Sequence, residues 1–189
     1  QYADGTFSMP YSKSTEMIVY NKDKFDANDI TFDVNQILTW EELEVIAETM
    51  VGDGPNQCEF LVGYDSASNL FINSSRQLGA GYTNVAGDVL INNDTTKGML
   101  NYFKGLFEDK TLALPIEWEA NFGSDNFLAQ DICMTIGSTA GIDYNNPFTK
   151  LEFEDRFEIG VLPASSIVKL GLSRFVKTKF NACSNFPFG

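Results

Sequence analysis

The chain contains no histidine. That removes the commonest general base, the usual Ser-His and Cys-His dyads, and the usual zinc ligand. Carboxylate, lysine and tyrosine chemistry remain open. Basic residues are scarce: 13 Lys+Arg stand against 26 Asp+Glu among 189 residues, a formal net charge of −13. Such acidity argues against nucleic acid as the main partner, because phosphate binding needs a basic face. No apolar run approaches the roughly 20 residues needed to span a bilayer. The opening residues, Gln1-Tyr2-Ala3-Asp4-Gly5, lack the basic and apolar regions of a signal peptide. Cysteine is sparse and odd in number: Cys58, Cys133 and Cys183. Three cysteines do not make a disulfide framework. Cys58 and Cys133 lie in apolar segments and read as small buried hydrophobes rather than as a pair.

The apolar share is ample. At 43% hydrophobic and 13% aromatic, the chain can build a real core and is not a disordered polymer. Its length suits one domain or one and a fraction.

Thr15 to Asn21 is rich in β-branched and aromatic residues and predicts a strand. Asn28 to Leu38 has no period and reads as a loop. Thr39-Trp40-Glu41-Glu42 has the form of a capping box, and Leu43, Ile46, Ala47 and Met50 follow at helical spacing. Trp40, at the first helical position, is expected in the core. Gly52 and Gly54-Pro55 end that helix. Phe60 to Val62 predicts a short strand, and Ser68 to Leu78 a second helix stopped by Gly79-Ala80-Gly81. Gly87-Asp88 is a turn. Asn92 to Asp94 caps a third helix, whose buried stripe is expected to be Met99, Leu100, Phe103, Leu106 and Phe107. Asn121 to Gln130 predicts a fourth helix; Ile132–Ile136 and Glu158–Leu162 predict two more strands. Strands alternating with helices imply an α/β layer architecture. The segment from Ser165 onward is basic, with Lys169, Arg174, Lys177 and Lys179, and reads as a solvated helix and tail.

Four segments in this order resemble the extracellular solute-binding proteins of ABC importers, the group that includes maltose-, oligosaccharide- and glycerol-phosphate-binding proteins. They are Pro10-Tyr11-Ser12-Lys13-Ser14-Thr15 running into Val19-Tyr20-Asn21-Lys22-Asp23-Lys24-Phe25, then Thr39-Trp40-Glu41-Glu42-Leu43, then Phe127 to Ser138, then Glu158-Ile159-Gly160-Val161-Leu162-Pro163. The resemblance implies a periplasmic-binding-protein type II-like α/β fold. It divides the chain into a crossover or hinge segment (1–25), a second α/β lobe (26–163) and an unassigned tail (164–189). Because the family begins about a hundred residues earlier, it also implies that the chain is an internal piece, mostly the second lobe. A lipid anchor or leader, as in a membrane-anchored lipoprotein outside the cell or in the periplasm, would then precede Gln1.

In that family the ligand lies between two lobes, touched by loops at strand ends and helix starts, as in open α/β sheets generally. The positions so implied are Tyr11, Ser12 and Ser14 before the crossover strand, Asp65, Ser66 and Asn69 after the Phe60 strand, and Ser138 and Thr139 after Ile132–Ile136. Each has a plainer reading as turn or N-cap chemistry. Trp118 and Phe122 offer aromatic faces for a sugar ring, with covering of the core edge as the alternative for Trp118; Tyr144 is a further aromatic in a loop. Where maltose-type members carry a stacking Trp, this chain has Ala140, so the Ser-rich turn is closer to glycerol-phosphate-type members. The expected ligand is a carbohydrate or a polyol phosphate, the expected partners are ABC permease subunits, and the expected state is a monomer. No catalytic residue, metal or cofactor is expected. Glu41, Glu42 and Glu44 suit a helix start, and Glu152, Glu154 and Asp155 read as a solvated face. A sugar-acting enzyme and a surface adhesion module are the rival classes.

Overall fold

The computed structural model describes residues 13–164. Tyr11, Ser12, Cys183 and the basic tail lie outside them. The described residues build one mixed sheet in the order β3-β2-β4-β1-β5. The strands are β1 (Glu16–Asn21), β2 (Phe60–Tyr64), β3 (Leu112–Ala113), β4 (Ile132–Ser138) and β5 (Ile159–Pro163). β2 runs parallel to β3 and β4; β1 runs antiparallel to β4 and β5.

β1 lies between β4 and β5, and Met17 through Tyr20 are all buried. Strands covered on both faces read as continuous apolar runs, as MIVY does. Successive residues point to opposite faces, so β1 feeds two cores. Ile18 and Tyr20 join the larger one; Met17 and Val19 join the smaller. The larger core is closed by α2 (Trp40–Met50), α3 (Ala67–Gln77) and α4 (Asp94–Glu108), through Trp40, Leu43, Leu70, Met99 and Phe103. The smaller is closed by Phe127 of α5 (Gly123–Leu128) and by Phe157, whose rings meet edge to face.

The capping box at Thr39 forms in full: Thr39 Oγ1 accepts from the Glu42 N–H, and Glu42 Oε2 accepts from the Thr39 N–H at 2.7 Å. Trp40 follows it into the core with no exposed surface. On α4, Met99, Phe103 and Leu106 are buried, but Leu100 is 48% exposed. The stripe is narrower than the sequence predicts. Leu100 lies one residue, about 100° of rotation, from Met99, and Tyr102 and Phe107 flank the stripe as partly buried neighbours instead. Several short elements have no counterpart in the sequence reading, a short helix and β3 among them. The short helix α1 (Lys22–Asp26) is capped by the Asn21 side chain, which accepts from the Lys24 N–H. The two-residue β3 exists through its pairing with β2. The predicted fourth helix is shorter, spanning only α5.

Cysteine requires a correction. Cys58 and Cys133 are buried as expected, but they are joined in a disulfide. Cys58 precedes β2 and Cys133 is the second residue of β4. Parallel pairing of Phe60 with Ile132 brings the two together across 75 residues of sequence. A loop of that size is worth about 4 kcal/mol in the chain-entropy account.

Candidate functional site

The topology gathers the strand ends at one edge. β2, β3, β4 and β5 end there, and the antiparallel β1 begins there. We call this the carboxyl edge. Glu16, the first residue of β1, pairs in register with Ser138, the last of β4. Tyr64 is the last residue of β2, and Asp65 and Ser66 follow it into α3.

Most of the sequence-predicted residues that the structure describes meet at this edge. Asp65 Oδ1 accepts the Gly123 N–H at 2.7 Å, which ties the start of α5 to the end of β2. The approach is close: a Cβ on residue 123 would stand 3.0 Å from Thr135 Oγ1 and 3.6 Å from Asp65 Oδ1, so a larger residue would require the Thr135 hydroxyl to shift. The bond also carries Phe122, the N-cap position of α5 and 60% exposed, to the same edge. Ser66 caps α3 by accepting from the Asn69 N–H. Asn69 itself is exposed. Ser138 Oγ accepts from the Ala140 N–H at the start of a short 3-10 helix, Thr139–Asn145. Thr139 exchanges two bonds with Thr15: its N–H donates to the Thr15 carbonyl at 2.8 Å, and its Oγ1 accepts the Thr15 N–H at 3.2 Å. Ser14, next to it, is exposed. The N-cap reading and the edge reading therefore coexist at Ser66 and Ser138, since each caps a helix with one oxygen lone pair.

Two aromatic candidates are not part of this cluster. Trp118 turns to the opposite end of the sheet. Its ring packs edge to face on Phe60, the first residue of β2, at 5.4 Å, and its indole N–H donates to Glu59 at 3.4 Å. It covers the smaller core. Tyr144 is exposed, with the Lys150 ammonium 5.1 Å from its ring centroid. Tyr11 and Ser12 lie outside the described residues.

Three residues that the sequence reading did not single out complete the edge. Glu16 Oε2 accepts from the Tyr64 hydroxyl at 2.6 Å and from the Asn73 side-chain amide at 2.7 Å. Burial, and then the bond to Glu16, push the Tyr64 phenol well above its ordinary value. No local pattern reveals this trio, because its members are 48 and 57 residues apart. A single acid opening an apolar strand was the one available hint.

The opposite, amino edge has a different chemistry. There the disulfide lies beside Lys24, which is 9% exposed and donates from Nζ to the Gln57 carbonyl at 2.7 Å. Burial lowers the Lys24 pKa. A cavity of about 250 Å³ opens there, lined by Asn21, Lys24, Asn56, Gln130 and Arg156 among others. No residue predicted for ligand contact lines it. Among the described residues no group of His, Cys, Asp or Glu is placed to hold a metal, and no helix is long and apolar enough to cross a membrane.

The arrangement matches known proteins. The family model for bacterial extracellular solute-binding proteins matches residues 1–180. An ABC substrate-binding protein from Listeria monocytogenes, solved with cycloalternan, superposes at a TM-score of 0.60 with 19% identity, over 82% of this chain and 38% of its own. UgpB from Mycobacterium tuberculosis, solved with glycerophosphocholine, gives 0.56 with 21% identity, over 82% and 37%. An Agrobacterium radiobacter solute-binding protein in complex with ribitol gives 0.57 with 17% identity, over 88% and 42%. At such identities the likeness is one of fold. The chain thus spans well under half the length of these structures. No curated protein sequence matches it. The mixed sheet with helices on both faces is of the periplasmic-binding-protein type II-like class, and the chain belongs to the bacterial extracellular solute-binding protein family.

Proposed function

We propose that this chain supplies one lobe, with its crossover strand, of a two-lobed, non-catalytic solute-binding protein of an ABC importer. The ligand is a carbohydrate or related polyol held against the carboxyl edge of the sheet. The observation that carries this reading is the meeting of Glu16, Asp65, Ser66, Ser138 and Thr139, from three separate strand ends, on one polar edge. Hydroxyl and carboxylate oxygens suit a solute rich in hydroxyl groups, and Phe122 beside them offers an apolar face. Residues 1–25 carry the crossover, 26–163 form the lobe, and a second lobe closes over the ligand. Closure is driven only by the ligand's preference for the closed form, which the permease then recognises. The buried disulfide fits an oxidising compartment outside the cytoplasm. A polyol phosphate is the second reading, favoured by the Ser138-Thr139 turn.

The test is a thermal-shift screen of the 189-residue chain and of the full-length gene product against oligosaccharides, polyols and glycerol phosphates. A ligand bound to the native state alone adds about 2.7 kcal/mol at a hundred times Kd. A shift by one compound class in the full-length protein supports the reading. No shift by any of them overturns it.

A further inference from the structure

Among the described residues, the trio at the head of β1 leaves one carboxylate oxygen without a donor. Both internal donors, the Tyr64 hydroxyl and the Asn73 amide, converge on Glu16 Oε2. Oε1 accepts no hydrogen bond from the described residues. Glu16 is half-buried at the carboxyl edge, opposite Ser138 in register. One oxygen fixes the side chain, and the other takes no hydrogen bond from the described residues. Fixing matters, because a preorganised acceptor loses little rotamer freedom when a ligand arrives.

We infer that Glu16 Oε1 is a ligand-contacting acceptor that selects neutral, hydroxyl-bearing solutes over phosphorylated ones. This rests on the solute-binding reading above and narrows its ligand class. A sugar or polyol hydroxyl donates to Oε1 in a charge-assisted bond, worth about twice a neutral one. A phosphate in the same place brings a second anion against the carboxylate, and that repulsion opposes any bond its remaining proton could form. Asp65, at the end of β2 on the far side of β4, adds a second carboxylate to the same edge, although its Oδ1 is already engaged by Gly123. Lys13, exposed on the segment entering β1, is the nearest cation in sequence and sits outside the Glu16–Tyr64–Asn73 bonds.

The arrangement supplies its own sharp variant. In Glu16→Gln, the single amide oxygen can accept from both Tyr64 and Asn73, since both already use one atom. The free position then changes from an anionic acceptor to a neutral N–H donor. The internal bonds are kept while the free position no longer accepts from a solute hydroxyl. Glu16→Ala serves as the contrast, losing the internal bonds as well.

The experiment titrates the full-length protein calorimetrically with ribitol, D-mannitol and maltotriose, and with ribitol 5-phosphate, mannitol 1-phosphate, glycerol 3-phosphate and inorganic phosphate. The wild type is expected to bind a neutral member and not its phosphate. E16Q is expected to lose that affinity by about tenfold or more, to narrow the gap to the phosphate, and to melt within a degree or two of wild type. Neutral binding that E16Q leaves unchanged overturns the inference while the solute-binding reading stands. So does a wild type that prefers the phosphate. Binding to none of the probes by either protein overturns both.

Discussion

The two edges of this sheet are built from different materials. The amino edge is closed covalently and by apolar packing: Cys58–Cys133 joins β2 to β4, and Trp118 covers Phe60. The carboxyl edge carries hydrogen bonds and, among the described residues, no covalent link: Tyr64 and Asn73 donate to Glu16, Gly123 donates to Asp65, and Thr15 and Thr139 bond to each other. A covalent clamp fixes strand positions without spending polar groups. That leaves the polar groups of the other edge free to be placed for recognition. The lobe can be read as a stiff base presenting an adjustable polar rim.

The largest effect should come from breaking the clamp. Replacing both Cys58 and Cys133 by Ser should remove about 4 kcal/mol of stability, read as a fall in the urea midpoint. Ligand affinity, measured where the variant is still folded, should be unchanged, because the clamp is at the far edge.

Next is the rim. Tyr64→Phe removes one of two donors to a carboxylate and should cost about 2 kcal/mol. It should also change the alkaline limb of stability. The folded phenol holds its proton above its ordinary value of 10.0, so the unfolded chain loses that proton first as pH rises. The stabilisation is complete below pH 10 and is lost progressively above it. The variant should show a shallower decline from pH 10 upward in chemical denaturation. Part of the slope should persist, because burial also raises Tyr20.

Smaller still, Ser66→Ala removes the N-cap of α3 and should cost about 1 kcal/mol, with a further weakening of ligand binding if the hydroxyl proton faces the solute. The smallest effect on binding is expected at Trp118. Trp118→Phe should leave ligand affinity within about twofold of wild type, less than 0.5 kcal/mol, since the ring packs on Phe60 at the amino edge. A large loss there would move the ligand to the wrong end of the lobe.

The sequence made the longer elements legible and the contacts between them less so. α2 was readable because its cap and its apolar period are both local, within Thr39 to Met50. The central strands were readable as unbroken apolar runs. α1 and β3 were not: five residues carry no helical period, and a two-residue strand is defined only by its partner. The disulfide escaped for the same reason, since nothing near Cys58 or Cys133 states that β2 and β4 pair in parallel. The resemblance implies ligand contact at Asp65, Ser66, Ser138 and Thr139, and the fold brings these four to one edge. It did not reach Glu16, whose role depends on a tyrosine and an asparagine brought from distant segments. Trp118 shows the converse: of its two readings, ligand platform or cover for the core edge, the fold takes the second.

The most direct test of the account is hydrogen exchange of the full-length protein with and without the sugar or polyol that raises its melting temperature most. The account predicts new protection at 15–17, 64–69, 122–124 and 137–140, and no change at 21–24, 56–60 and 130–133. Protection confined to the second set, around the disulfide, Lys24 and the 250 Å³ cavity, would place the ligand at the amino edge and contradict it.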